Sequence, residues 1–258
     1  MGKIIAFSNQ KGGVGKTTTC VNMSAYLANK GKKVLIVDLD PQGNATSGLG
    51  FAKSEVKSSI YNAMIDEMPL IDVALKTCVE NLDILPSNID LAGAEVELVY
   101  IKDREHVLKK VLEKARSSYD FILIDCPPSL GLLTINALAA ADTVIIPIQS
   151  EYYALEGLSQ LMNTIKLVVK HLNDKLKIEG VVLTMNDNRA IISRQITQEI
   201  KKFFGKRVFE TAIPRNIRLA EAPSHGVPII LHDTRCSGAK AYLALTEEFL
   251  DRQGGRKI

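Results

Sequence analysis

SNQKGGVGKTTT, residues 8–19, decides how this chain folds, and it carries one lysine more than a phosphate-binding loop requires. Such a loop ordinarily reads G-x-x-x-x-G-K-[ST]. Gly15, Lys16 and Thr17 supply the closing part, whereas Gln10 stands where the first glycine belongs and Lys11 follows it. The preceding MGKIIAFS reads as a strand that ends at Ser8, and a helical pattern begins near Lys16. Strand, glycine-rich turn and helix in that order aim backbone N–H groups and a helix N-terminus at an anion. Gly12, Gly13 and Gly15 let the backbone wrap closely because no Cβ intervenes. Lys16 is expected to reach the β- and γ-phosphates of a nucleotide. The Thr17 hydroxyl is expected to coordinate Mg²⁺, and Thr18 to bond nearer the α-phosphate. A glycine-rich surface turn would lack this strand and helix context, which makes the phosphate loop the better reading.

A Mg²⁺-nucleotide site also needs a carboxylate at the end of a neighbouring strand. FILID (121–125) places Asp125 there, and the Cys-Pro-Pro-Ser that follows starts a loop able to sense the γ-phosphate. VDLDPQGN (37–44) offers Asp38 and Asp40. Asp40 lies just past its strand, where a carboxylate polarises an attacking water. Asp38 is still inside the apolar run and has two readings, a water-mediated contact to Mg²⁺ or a brace for the loop. Alone, either aspartate would read as a cap or turn residue; beside a phosphate loop, Asp40 reads as catalytic.

Outward from the loop, nearly unbroken apolar runs recur: IIAF (4–7), VLIVD (34–38), FILID (121–125), TVIIPI (143–148) and VVLT (181–184). Runs of this kind suit strands buried on both faces, as in parallel sheets. Helical stretches separate them. Residues 16–30 form one, closed by Gly31; residues 91–117 form another whose continuity the pattern leaves open. In 156–171, Leu158, Leu161, Met162, Ile165, Val168 and Val169 make one buried stripe. The alternation predicts an α/β fold, a doubly wound, mostly parallel sheet flanked by helices in the manner of P-loop NTPases. Neither a linker composition nor a repeat is visible, so residues 1–258 read as one domain.

Bulk properties are permissive. The 258 residues are 46% hydrophobic and 24% charged with net charge +3, ordinary for a globular chain and too mild to demand an anionic partner. Cys20, Cys78, Cys126 and Cys236 are scattered without a C-x-x-C pair, so reduced thiols in a cytosol are expected. No signal-peptide pattern opens the chain, and Ala6 removes a myristoylation reading of Gly2. No apolar stretch approaches the ~20 residues of a membrane helix.

Taken together, KGGVGKTT (11–18), DLDPQGN (38–44), DCPPSLGLLT (125–134), EYYALEGLSQL (151–161) and IPRNIRLAEAPSHG (213–226) closely resemble the ParA/Soj family of chromosome-partitioning ATPases. The likeness runs from Lys3 to about Phe249. That family lies within the deviant Walker-A group, which includes MinD, the arsenite-pump ATPase and the nitrogenase iron protein. The resemblance implies that ATP and Mg²⁺ are bound and that two ATP-bound subunits form a homodimer face to face. Lys11 then crosses to the partner's nucleotide, a cation supplied in trans much like an arginine finger, and Gly12 lies between the two loops. Pro214 and Asn216 are implied base contacts, with Asn186 a weaker candidate.

The resemblance further implies that the ATP dimer binds double-stranded DNA without sequence preference, in a cytoplasmic, nucleoid-associated setting. Arg189 and Arg218 are the foremost DNA contacts. Lys201 and Lys202 belong to the same set but read equally well as the solvated face of a helix around 192–204. A ParB/Spo0J-type protein is the implied partner that stimulates hydrolysis. A strand beginning at residue 3, with no helix-turn-helix ahead of it, favours the short chromosomal type. Three alternatives stand beside this reading. A MinD-like membrane-cycling ATPase needs a C-terminal amphipathic helix, but AYLALTEEFL (241–250) reads as core-packing. An iron–sulfur reductase needs a second cysteine to join Cys126, and a metabolic P-loop synthetase needs a substrate motif; neither is apparent.

Overall fold

The computed structural model describes residues 1–151, 154–187 and 190–254, with the side chains of 154–156 and 192 left aside. The strands are β1 (Lys3–Phe7), β2 (Val34–Asp38), β3 (Leu75–Lys76), β4 (Leu82–Leu85), β5 (Phe121–Asp125), β6 (Thr143–Gln149) and β7 (Lys177–Thr184). They form a seven-stranded sheet in the order β3-β4-β2-β5-β1-β6-β7. Every pairing is parallel except the short β3–β4 edge. This is the doubly wound, mostly parallel sheet that the apolar runs predict. Successive residues feed opposite faces: Ile4 and Ala6 join Leu35, Ile122 and Val144 on one side, while Ile5 and Phe7 join Ile36, Leu123 and Ile145 on the other. Two-sided burial explains the unbroken runs, since each such side chain gains about 1.5–3 kcal/mol on leaving water.

The longer helices cover both faces. α1 (Lys16–Asn29) is followed by the short α2 (Asn44–Gly48), α3 (Ile60–Ile65) and α4 (Leu70–Val73), then by α5 (Leu91–Glu97), α6 (Val107–Glu113) and α7 (Leu132–Ala140). α8 (Ala154–His171), α9 (Ile191–Phe204), α10 (Ile217–Glu221), α11 (Ile229–His232) and α12 (Ser237–Gln253) complete the chain. The 91–117 stretch is not one helix. Ile101 turns extended and Asp103 takes φ 55. Asn136 pins the break, accepting from Leu108 N at 3.1 Å and donating to Arg104 O at 2.8 Å. The break lets Val107, Leu108 and Leu112 face the sheet.

β7 starts four residues before its apolar run, because the polar lead-in KIE is held at the sheet edge, where Lys3 pairs with Glu179. The free edge of β7 is then closed by the segment after α9. Phe209 N donates to Val181 O at 2.9 Å and Ile213 N to Leu183 O at 2.8 Å. That pairing delivers Pro214 and Asn216 to the carboxyl ends of the strands, beside the phosphate loop.

Candidate nucleotide-binding site

β1 runs into the glycine-rich loop, and α1 leaves it. Gly13 (φ 73) and Gly15 (φ 81) adopt left-handed backbone, which a side chain would strain. Gly15 caps α1 with no side-chain bond and no acidic residue occupies the first turn, so the helix N-terminus is left for an anion. The loop is stapled from three sides. Asn9 accepts from Lys11 N at 3.0 Å and donates to Pro147 O at 2.7 Å. Thr184 donates to Val14 O at 2.8 Å, and Thr19 to Gly15 O at 2.6 Å.

Lys16 is 6% exposed, and its ammonium donates to Lys11 O at 3.0 Å. Burial lowers its pKa, with Asp125 the chief opposing charge. Strand register sets the acids: Asp38 on β2 pairs alongside Asp125 on β5, which pairs with Phe7 at the end of β1. Both Asp125 oxygens are buried without a hydrogen-bond partner. Burial first, and then the Asp38 charge, push the Asp125 carboxyl far above the usual carboxylate range, while Thr17 and Lys16 pull it back. An orphaned carboxylate beside a threonine hydroxyl is a donor set suited to a hard divalent cation.

Of the two readings for Asp38, the structure supplies the contacts of the brace. Its Oδ2 accepts from Thr46 N at 2.7 Å and Thr46 Oγ1 at 2.6 Å, and Thr46 Oγ1 in turn accepts from Ser87 N at 2.9 Å. Burial nevertheless raises Asp38 to about 6, those Thr46 bonds opposing the rise. Asp40 is 7% exposed and organises its own turn by accepting from Gln42 N at 2.9 Å.

A cavity of about 350 Å³ opens beside the loop, lined by Gly15 and Thr18 with Thr184, Met185, Ile213, Pro214, Asn216 and Tyr242. Its mostly apolar wall suits a flat heterocycle. Asn216 caps α10 through Leu219 N at 3.3 Å and donates to Ser237 at 2.9 Å. Asn186 adjoins this wall through its backbone, which bridges to Pro214 and whose N–H donates to Ile213 O at 2.9 Å.

Lys11 does not turn toward its own loop. Its ammonium pairs with Glu151 Oε2 at 2.9 Å. Gly12 has neither a positive φ nor a crowded environment, since an added Cβ would come no nearer than 3.9 Å to Pro128 Cβ. Nothing within one chain therefore demands glycine there.

The basic residues are dispersed around this site. Arg218, on exposed α10, pairs with Glu221 at 2.8 Å and approaches Asp233 at 3.8 Å. Lys202 pairs with Glu199 at 2.6 Å on the solvent face of α9, where Lys201 is also exposed. Arg189 lies outside the described residues. Sequence reasoning passed over Thr46, Glu151 and the wall residues Met185 and Tyr242. Glu151 opens a motif already singled out, yet no spacing rule connects it to Lys11 across 140 residues of chain.

Comparison with known proteins follows the same lines. A family model described as an AAA domain matches residues 2–178. The chain is 61% identical over 248 residues to the sporulation initiation inhibitor protein Soj of Bacillus subtilis, covering 96% of this chain and 98% of that protein. It is 53% identical to the chromosome partitioning protein ParA of Myxococcus xanthus, covering 98% of this chain and 89% of the relative. A solved structure of cobyrinic acid a,c-diamide synthase from Mycobacterium smegmatis, holding ADP and magnesium, superposes with a TM-score of 0.88 at 35% identity. That likeness covers 100% of this chain and 97% of the other.

Proposed function

Because the chain belongs to the Soj/ParA family of chromosome-partitioning proteins, we propose that it is a Mg²⁺-dependent ATPase that switches between a monomer and an ATP-bridged, DNA-binding homodimer. The observation that carries this reading is the buried Asp125 carboxylate beside Thr17 and Lys16, neither of its oxygens held in a regular hydrogen bond, at the foot of an uncapped α1. Asp125 and Thr17 would hold Mg²⁺, which when bound offsets phosphate charge. Lys16 and the N–H groups of residues 12–18 hold the phosphates, and the Pro214–Asn216 wall holds the base. Asp40 orients the attacking water from a turn fixed by Gln42. Lys11, already directed away from its own loop, serves the partner's nucleotide, and Gly12 keeps the opposed loops close.

Hydrolysis then returns monomers that release DNA, in a cycle paced by a ParB/Spo0J-type protein on the nucleoid. Arg218, Lys201, Lys202 and Arg189 are the proposed phosphate contacts. No helix among the described residues is long and apolar enough to cross a membrane, and α12 spends Ala239, Tyr242, Leu245 and Phe249 on the core rather than on lipid. Cys126, the cysteine an iron–sulfur reading would draw on, is buried, which argues against it as a ligand of a cluster shared between subunits. The synthase likeness, at 35% identity, is weaker than the 61% to Soj, so the partitioning reading takes precedence.

The test is MgATP binding and phosphate release by the parent, Lys16→Ala and Asp40→Ala. Lys16→Ala should lose nucleotide binding. Asp40→Ala should bind nucleotide, hydrolyse little and remain as a DNA-bound dimer. Rapid phosphate release by Asp40→Ala would overturn the assignment of that residue.

A further inference from the structure

The loop joining β5 to α7, residues 126–131, is bracketed by two frustrated carboxylates. Among the described residues, Asp125 and Glu95 are the acidic side chains with a buried oxygen that makes no hydrogen bond. Asp125 stands at the loop's start. Glu95, on α5, stands at its end: a Cβ built on Gly131 would fall 2.2 Å from Glu95 Oε1 and 3.2 Å from its Cδ. Gly131 has φ −76 and ψ −170, a conformation open to any residue, so what a side chain there would meet is the end of the Glu95 side chain, which would have to swing away.

Gly131 is the N-cap of α7, a nine-residue helix with no side-chain cap and no acid in its first turn. The opening N–H groups of a helix carry partial positive charge and need acceptors. Glu95 brings an acceptor from a different element, yet stops short of a hydrogen bond. α5 is a firm platform for it: Leu91, Ala94 and Leu98 are buried, and the neighbouring Glu97 is tied to Tyr61 at 3.0 Å. The loop's second half is a unit as well, because Thr134 donates to Ser129 O at 2.6 Å. Both parts are thus ordered, with the Glu95 carboxyl set against the residue that opens α7.

We propose that Glu95 is the positioning residue of this loop, a latch that accepts the opening N–H groups of α7 when nucleotide ligation draws on Asp125 at the other end. The loop is thereby held in one place relative to the γ-phosphate. This rests on the nucleotide-site reading above and adds a residue to it.

The experiment compares Glu95→Ala, Glu95→Gln, Gly131→Ala and the double variant Glu95→Ala/Gly131→Ala. It measures ADP affinity, kcat and KM for MgATP, and amide exchange of residues 126–135 with and without a non-hydrolysable ATP analogue. A charge-assisted bond at a helix N-terminus predicts that Glu95→Ala lowers kcat roughly tenfold while leaving ADP affinity and KM unchanged. Exchange at the start of α7 should rise only with the analogue bound. Glu95→Gln, which keeps an acceptor oxygen, should recover part of kcat. Gly131→Ala should resemble Glu95→Ala, and the double variant should be no worse than either. Unchanged kcat in Glu95→Ala, or exchange that rises equally without nucleotide, would overturn the proposal. A parent protein that neither binds nor hydrolyses MgATP would instead remove the reading on which it rests, and the latch with it.

Discussion

Lys11 Nζ lies 2.9 Å from Glu151 Oε2, an ion pair closed within a single chain. The two side chains are 35% and 48% exposed, and pairs so solvated contribute only about 0–1 kcal/mol. Glu151 is also engaged by Gln149 Nε2 at 2.5 Å, so it has an alternative partner when Lys11 leaves. The contact thus parks the lysine without committing it. Lys11→Ala should melt within a degree or two of the parent, given ~0–1 kcal/mol at stake. It should bind MgATP and fail to dimerise, as sedimentation with ATP would show. Glu151→Gln frees Lys11 and should lower the ATP concentration needed for dimers.

Gly12→Val should fold and bind ATP, because the chain itself leaves room for a Cβ there and the backbone is not in the left-handed region. Its defect should appear only when two loops meet. Light scattering with ATP should report monomers for Gly12→Val and dimers for the parent.

Asp38 makes the stability of the nucleotide-free protein sensitive to pH. Its folded-state value, raised to about 6 by burial, exceeds the unfolded value near 3.9, so the folded chain holds the proton more tightly. Stability from this group is full below about pH 4 and is lost as pH rises through about 6. Asp38→Asn should reduce that slope, leaving the share that the buried Asp125 contributes in the same direction, while keeping an oxygen for Thr46. Melting curves of nucleotide-free protein should therefore show the variant gaining on the parent between pH 4 and 7. A parallel pair of curves would contradict the burial argument.

Arg218 is held by Glu221 at 2.8 Å and faces Asp233, so its charge is partly spent. If it contacts phosphate, Glu221→Gln should strengthen DNA binding by the ATP form and Arg218→Ala should weaken it. Each phosphate neutralised steepens the salt dependence by about 0.9 log units of affinity per log unit of salt. The Arg218→Ala slope should accordingly be shallower by about one contact.

The sheet was legible because two-sided burial leaves short, β-branched apolar runs spaced by helical stretches, as in Ile4–Phe7 and Val34–Asp38. The phosphate loop was legible because its glycines, lysine and threonine are contiguous. What sequence left unread depends on distance along the chain. Thr46 receives its role from Asp38 through the packing of α2, and Glu151 meets Lys11 only after β6 is laid beside β1. The break after Tyr100 was undecided by periodicity, since Asp103 and the Asn136 bonds that enforce it are tertiary features. Glu95 resembles any solvated helix acid until α7 is placed against it.

ATP alone should create the DNA-binding dimer. The most direct test is sedimentation of the parent protein with labelled, non-specific duplex DNA in MgATP, in MgADP and without nucleotide. A DNA-bound dimer in MgATP, with free monomers in the other two conditions, is the predicted result. DNA binding of equal strength in all three, or an ATP-bound protein that stays monomeric, would contradict it.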